Sequence, residues 1–141
     1  MRRGFTLIEA LVVLTIAGVL LGLLVPRWAL YRDRLAVGRA TAEVASFYHT
    51  ARYAAILRAQ RVRIEFAAAS LRAVYEGVTD STFLLRAGPA RLGVTFGVSR
   101  TTIRIAPNGM GYGAANTRLV LSRGAAADTL TTSRLGRLKR W

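Results

Sequence analysis

The sequence predicts an α+β fold, in which a long N-terminal helix packs on an antiparallel β-sheet domain. Three observations lead to this prediction. An apolar run lies near the start of the 141-residue chain. Apolar residues at helical spacing follow it, and beyond Arg61 apolar and polar residues alternate. The helix is therefore expected to span a membrane in its first half and to be amphipathic in its second half.

The apolar run extends from Phe5 to Val25 and contains one charged residue, Glu9. As a helix rising about 1.5 Å per residue, it would span about 30 Å, the thickness of a bilayer core. A secretory signal peptide would end in a small-x-small cleavage site, which residues 24–27 do not offer. A plain membrane anchor leaves Glu9 unexplained, because a carboxylate inside a spanning helix costs about 2.5–3.5 kcal/mol.

Residues 2–26, RRGFTLIEALVVLTIAGVLLGLLVP, closely resemble the N-terminus of type IV prepilins and pseudopilins. The resemblance implies that a prepilin peptidase removes the leader, residues 1–4, by cutting between Gly4 and Phe5, and that the new amine of Phe5 is N-methylated. It also implies that Glu9 pairs with the N-terminal amine of a neighbouring subunit in a filament. The chemistry agrees, since a buried carboxylate needs a cation and cleavage creates one on another copy.

The resemblance further implies a single-pass inner-membrane protein with a cytoplasmic N-terminus and a periplasmic C-terminal domain, which later joins a pilus or pseudopilus and can reach the cell surface. The positive-inside rule favours the opposite orientation, because more arginines follow the apolar run than precede it. We keep the first orientation because processing requires a cytoplasmic leader. The arginines after the run are Arg27, Arg32, Arg34 and Arg39.

Residues 5–27 are thus expected to form a transmembrane and filament-core helix, and residues 28–60 its amphipathic continuation. Gly18, Gly22 and Pro26 are positions where this helix can bend. One face of the continuation carries apolar residues at steps of three or four. These are Val37, Ala40, Val44, Phe47, Ala51 and Ala54.

Residues 61–141 are predicted to form one globular β domain with a basic C-terminal tail. Val62, Ile64 and Phe66 alternate with charged residues, as in a half-buried strand. Glycine- and proline-containing turn signals separate the further strand candidates. Those candidates are Leu71–Tyr75, Thr82–Arg86, Val94–Val98, Thr102–Ala106, Arg118–Leu121 and Thr129–Ser133.

The C-terminal region, residues 102–141, carries a second resemblance. IAPNGMGYG, then RLVLS and TLTTS, then LGRLKRW resemble the globular domain of the GspH/FimT family of minor pseudopilins, which implies a pilin-like fold. That family commonly ends in a Gly-Arg-x-Arg element. Gly136 and Arg137 match it, whereas Lys139 stands where arginine is usual.

The residues do not indicate an enzyme, a cofactor or a metal site. The chain has no cysteine and one histidine, His49, which alone favours a structural or exposed role. Glu76 and Asp80 flank a turn and are expected to lie in a solvated loop. Too few carboxylates cluster in the sequence to bind a metal through oxygen ligands.

The charge is more informative. The net charge is +14, and residues 81–141 contain ten basic residues and one acid. Such clustering is typical of proteins that bind nucleic-acid phosphates without sequence preference. Trp141 could stack on a base. Acidic partner pilins and anionic lipid headgroups are the alternative partners. The candidate DNA contacts are Arg118, Arg123, Arg134, Arg137, Lys139 and Arg140.

The first functional hypothesis is a minor type IV pilin that contacts double-stranded DNA during DNA uptake in natural transformation (competence). FimT-like members of the family, with their Gly-Arg-x-Arg tail, are associated with this process. The second is a structural GspH-like pseudopilin of a type II secretion system. A third is a membrane-anchored periplasmic protein outside any filament. The expected partners are prepilin peptidase, other pilins or pseudopilins, the inner membrane and, under the first hypothesis, DNA.

Overall fold

The computed structural model describes residues 6–141, without the side chains of residues 23–26. The leader and Phe5 lie outside the described residues. A single helix, α1, runs from Leu7 to Leu57. Its backbone stays helical at the glycine and proline positions where the sequence permits a bend. The chain divides into two units, Met1–Arg32 and Asp33–Trp141.

In the first unit, α1 begins with a cap. The backbone N–H of Glu9 donates to the hydroxyl of Thr6 at 3.2 Å, as expected of a threonine that precedes a helix. The large apolar side chains from Leu7 to Leu21 are exposed. Within residues 6–141, α1 is the one helix long and apolar enough to cross a bilayer.

The second unit contains nine strands in two antiparallel sheets. The five-stranded sheet has the order β3-β2-β1-β5-β6, and the four-stranded sheet has the order β4-β7-β8-β9. A short 3-10 helix, Pro89–Leu92, precedes β4. The strands are β1 Val62–Phe66, β2 Ser70–Tyr75, β3 Ser81–Ala87, β4 Thr95–Val98, β5 Thr102–Ile105, β6 Gly111–Tyr112, β7 Thr117–Arg123, β8 Ala126–Thr132 and β9 Leu138–Arg140.

The core lies between the second half of α1 and both sheets. The predicted helical stripe is buried except for Ala54, which is half-buried, while its neighbour Ala55 is fully buried. The alternating residues of β1 pack in the same cluster. The four-stranded sheet contributes Leu119, Leu121 and Leu130. The fold is therefore α+β, as the sequence predicts.

The C-terminal end differs from the prediction. It is not a tail, because Leu138–Arg140 form β9 at the edge of the four-stranded sheet. The strand was missed because it contains one apolar residue, too few to show alternation. β6, with two residues, was missed for the same reason. β8 begins three residues before its predicted start at Thr129, since its first buried positions are alanine and aspartate.

Candidate functional site

Ion pairs decide which cations are available to a partner. In the part of the chain that the structure describes, each acid after Glu9 is paired with an arginine. Asp33 pairs with Arg123, Glu43 with Arg91, Glu65 with Arg63 and Arg72, Glu76 with Arg63 and Arg104, Asp80 with Arg63, and Asp128 with Arg140. The arginines in these pairs already have anionic partners, so the site must be sought among the remaining cations.

Two of the predicted DNA contacts are occupied in this way. The Nε of Arg123 lies 3.0 Å from the Oδ1 of Asp33, and its Nη1 donates to the carbonyl of Leu92 at 2.7 Å. Arg140 pairs with Asp128, which is only 8% exposed. Because breaking either pair leaves a carboxylate without its partner, we leave Arg123 and Arg140 out of the candidate site.

The other predicted contacts meet at one end of the four-stranded sheet. Arg118 is the second residue of β7, and the antiparallel register sets it opposite Thr131, which in turn faces Lys139. Their neighbours Thr117, Leu119, Leu130 and Thr132 are buried. Since side chains alternate along a strand, the row Arg118–Thr131–Lys139 faces away from the core.

Arg100 joins this end from the loop between β4 and β5. The backbone N–H of Arg100 donates to the hydroxyl of Thr117 at 3.1 Å, which holds it beside the start of β7. Arg100 and Arg134 line one cleft of about 210 Å³, together with Asn116 and residues 113–115. Arg100 is not among the contacts predicted from the sequence, because only the pairing of β4 with β7 brings it to this place.

The turn between β8 and β9 positions Arg134 and Arg137. The carbonyl of Arg134 accepts a hydrogen bond from Gly111 at 2.7 Å, and the N–H of Ser133 donates to the carbonyl of Arg137 at 2.9 Å. Both side chains are exposed. We call the five cations Arg100, Arg118, Arg134, Arg137 and Lys139 the basic end; within residues 6–141, none of them pairs with an acid.

Trp141 lies beside the basic end and is 69% exposed, so it is not part of the core. Its indole N–H donates to the hydroxyl of Thr131 at 3.1 Å. The Nζ of Lys139 lies 3.4 Å from the centroid of the ring, a cation–π contact. An aromatic side chain is thus held at the outward face of the sheet, next to the free cations.

The remaining candidates do not form a reaction centre. His49 is exposed and meets Tyr48 edge-on at 5.7 Å between ring centroids. Glu76 and Asp80 are not merely solvated, as predicted, but belong to an ion-pair network around Arg63. Among the described residues, no group of three or more histidines, aspartates and glutamates could hold a metal.

Residues 1–25 match the model of the prokaryotic N-terminal methylation motif, and residues 40–136 match that of the type II transport protein GspH. The chain belongs to the GspH family of pilin-like proteins. Two Pseudomonas aeruginosa sequences, each named fimbrial protein, are 34% identical to it over 115 residues, which cover 81% of this chain and 73% of theirs.

The fold of this GspH-family pilin is also found in solved structures. The P. aeruginosa type IV minor pilin FimU, in two crystal forms, superimposes with TM-scores of 0.65 and 0.62 at 14% and 13% identity. The first match covers 75% of this chain and 88% of FimU, and the second 74% and 91%.

Membership of the family defines the general class of the protein. It is a minor type IV pilin or pseudopilin, structural and non-enzymatic. Its methylation motif marks it as a substrate of a prepilin peptidase, and the pilin family implies filament partners. Residence in the inner membrane before assembly is typical of pilins with such an N-terminal apolar helix.

Proposed function

We propose that this minor pilin is cut between Gly4 and Phe5, enters a filament through residues 5–27, and contacts double-stranded DNA through its basic end during DNA uptake. The observation that carries the DNA contact is the grouping of five cations without acid partners at one end of the four-stranded sheet. The acids occupy other arginines, whereas the five cations of the basic end are free of acid partners in residues 6–141.

The dimensions of the basic end suit a duplex. Four strands about 4.8 Å apart are about 14 Å wide, and B-DNA carries one phosphate charge per about 1.7 Å of its axis. Several phosphates can therefore face the basic end together. Arginine pairs with phosphate through its planar fork, and Trp141 adds an aromatic surface. Phosphate contacts carry no sequence information, so we expect sequence-independent binding.

The test uses residues 29–141, which contain the whole second unit. Fluorescence anisotropy of a labelled duplex is measured over a range of salt concentrations. We expect affinity to fall steeply with salt, and the double variant Arg118→Gln/Lys139→Gln to bind more weakly with a salt slope reduced by about 2, or about 1 per phosphate contact.

The matched control is Arg39→Gln/Arg86→Gln, which removes the same charge from two other exposed positions. The control should bind nearly as tightly as the wild type. No binding at low salt, or an equal loss in the control and the double variant, would contradict a DNA contact at the basic end.

The description of the matching family model favours a second candidate, a structural pseudopilin of a type II secretion system. This function needs no nucleic acid. It predicts that residues 29–141 do not bind DNA, and that deletion of the gene impairs protein secretion while DNA uptake is unchanged.

A further inference from the structure

The helix carries a second basic surface, which the proposed function does not use. The surface consists of four exposed residues, Arg27, Trp28, Tyr31 and Arg32. With 3.6 residues per turn, they lie on one side of α1 within an arc of about 140°. We call them the juxtamembrane patch. The rings of Trp28 and Tyr31 lie 6.0 Å apart and are tilted by 38°. Trp28 is 64% exposed and Tyr31 54% exposed.

The position of the patch along α1 corresponds to a membrane surface. From Glu9 to Trp28 the helix rises about 28 Å, close to the thickness of a bilayer core of about 30 Å. When Glu9 lies at the cytoplasmic interface, Trp28 and Tyr31 lie at the opposite one. Tryptophan and tyrosine are enriched at membrane interfaces, where their polar groups meet water.

The charge of the patch identifies the lipid. Arg27 and Arg32 are cations, and Asp33, the nearest acid in the sequence, is paired with Arg123. We propose that the juxtamembrane patch binds the headgroups of anionic phospholipids in the periplasmic leaflet of the inner membrane, and so holds the subunit there before assembly. The attraction between these arginines and anionic headgroups accounts for arginines on the periplasmic side of the membrane, which the positive-inside rule disfavours. The proposed lipid binding depends on the orientation of the helix in the membrane and not on DNA binding.

The test uses the full chain in vesicles. Trp28 and Trp141 are the two tryptophans of the chain, so Trp141→Phe leaves Trp28 as the only tryptophan reporter. Vesicles contain equal amounts of phosphatidylcholine and phosphatidylglycerol, and one of the two lipids carries bromine close to its headgroup. Bromine quenches tryptophan at short range. We expect brominated phosphatidylglycerol to quench Trp28 at least about twofold more than brominated phosphatidylcholine.

The variant Arg27→Gln/Arg32→Gln, in the same background, should bring the two quenching values to parity and leave Trp28 at the same depth. Arg39→Gln/Arg86→Gln, which removes equal charge elsewhere, should keep the preference. Equal quenching by the two lipids in the parent chain would overturn the proposal. Quenching that depends on protein density rather than on lipid identity would assign the patch to a neighbouring subunit and would also overturn it.

Discussion

Gly136 shows how a single residue shapes the basic end. It is buried and has a φ of +71°, which side chains rarely adopt. A Cβ at this position would lie 2.1 Å from the carbonyl oxygen of Gly109 and 2.7 Å from the Nε of Arg52. These two atoms are themselves hydrogen-bonded at 2.8 Å. The glycine of the terminal Gly-Arg element therefore allows the turn that presents Arg137 to pack against the helix.

Gly136→Ala should consequently lower the free energy of unfolding by about 3 kcal/mol, since it combines a left-handed backbone with a steric clash. Gly113→Ala is the matched control, because Gly113 has a φ of +67° with open space around it, and it should cost about 1 kcal/mol. Urea unfolding of residues 29–141 measures both. Equal losses in the two variants would show that packing at Gly136 is not tight.

At the level of elements, the five-stranded sheet carries its charge as a network. Arg63 on β1 contacts Glu65, Glu76 and Asp80, and Arg104 on β5 contacts Glu76. The hydrogen bond from Arg63 lowers the pKa of Asp80 below its ordinary value of 3.8. Three of the four arginines on this sheet, Arg63, Arg72 and Arg104, thus have acid partners, in contrast to the basic end of the four-stranded sheet.

The lowered pKa makes stability depend on pH. The ion pair of Asp80 should contribute fully to the free energy of unfolding above pH 3.8, the ordinary pKa of this carboxyl. The contribution should disappear as the pH falls through the lower pKa of the folded state. Asp80→Asn should therefore destabilise the protein at neutral pH and have no effect in strong acid. Urea unfolding of both proteins across this range provides the measurement. A difference in unfolding free energy between the wild type and Asp80→Asn that stays constant with pH would show that the ion pair does not cause it.

At the level of the whole molecule, α1 is partnered along only part of its length. Its second half is buried against two sheets, whereas the apolar side chains of residues 7–21 are exposed in a single copy of the chain. Glu9 lies in this exposed segment, at the first turn of the helix. A membrane and then other subunits can cover such a surface, which agrees with the filament partners implied by the family.

Processing and assembly should respond separately to substitution. Gly4→Ala should block cleavage and leave the leader attached, which mass spectrometry of the N-terminus detects. Glu9→Gln should be cleaved normally but fail to enter filaments if Glu9 pairs with the amine of the neighbouring copy, as the prepilin resemblance implies. Losing one member of a buried pair costs about 3–5 kcal/mol. Glu43→Gln, which removes the same charge from the second unit, should assemble. Filaments with a normal content of the Glu9 variant would contradict the pairing.

Local patterns were sufficient for most of the fold. The helix, β1, β2 and β3 were predictable because a buried face imposes a period of about 3.6 on a helix and 2 on a strand. β6 and β9 were not, since they are too short to show a period. Of the six predicted DNA contacts, Arg118, Arg134, Arg137 and Lys139 remain in the candidate site, whereas Arg123 and Arg140 pair with acids distant in sequence.

The amino-acid sequence alone was sufficient to recognise the family, the processing motif, the α+β class and the excess of positive charge, because each of these depends on residue types at short spacings. Which cations lack acid partners follows from the three-dimensional fold. Ion pairs form between strands and helix across long separations, such as Asp33 with Arg123. Strand pairing likewise brings Arg100 beside Arg134 and sets Arg118 in one row with Lys139. These contacts depend on register, which composition and local periodicity do not specify.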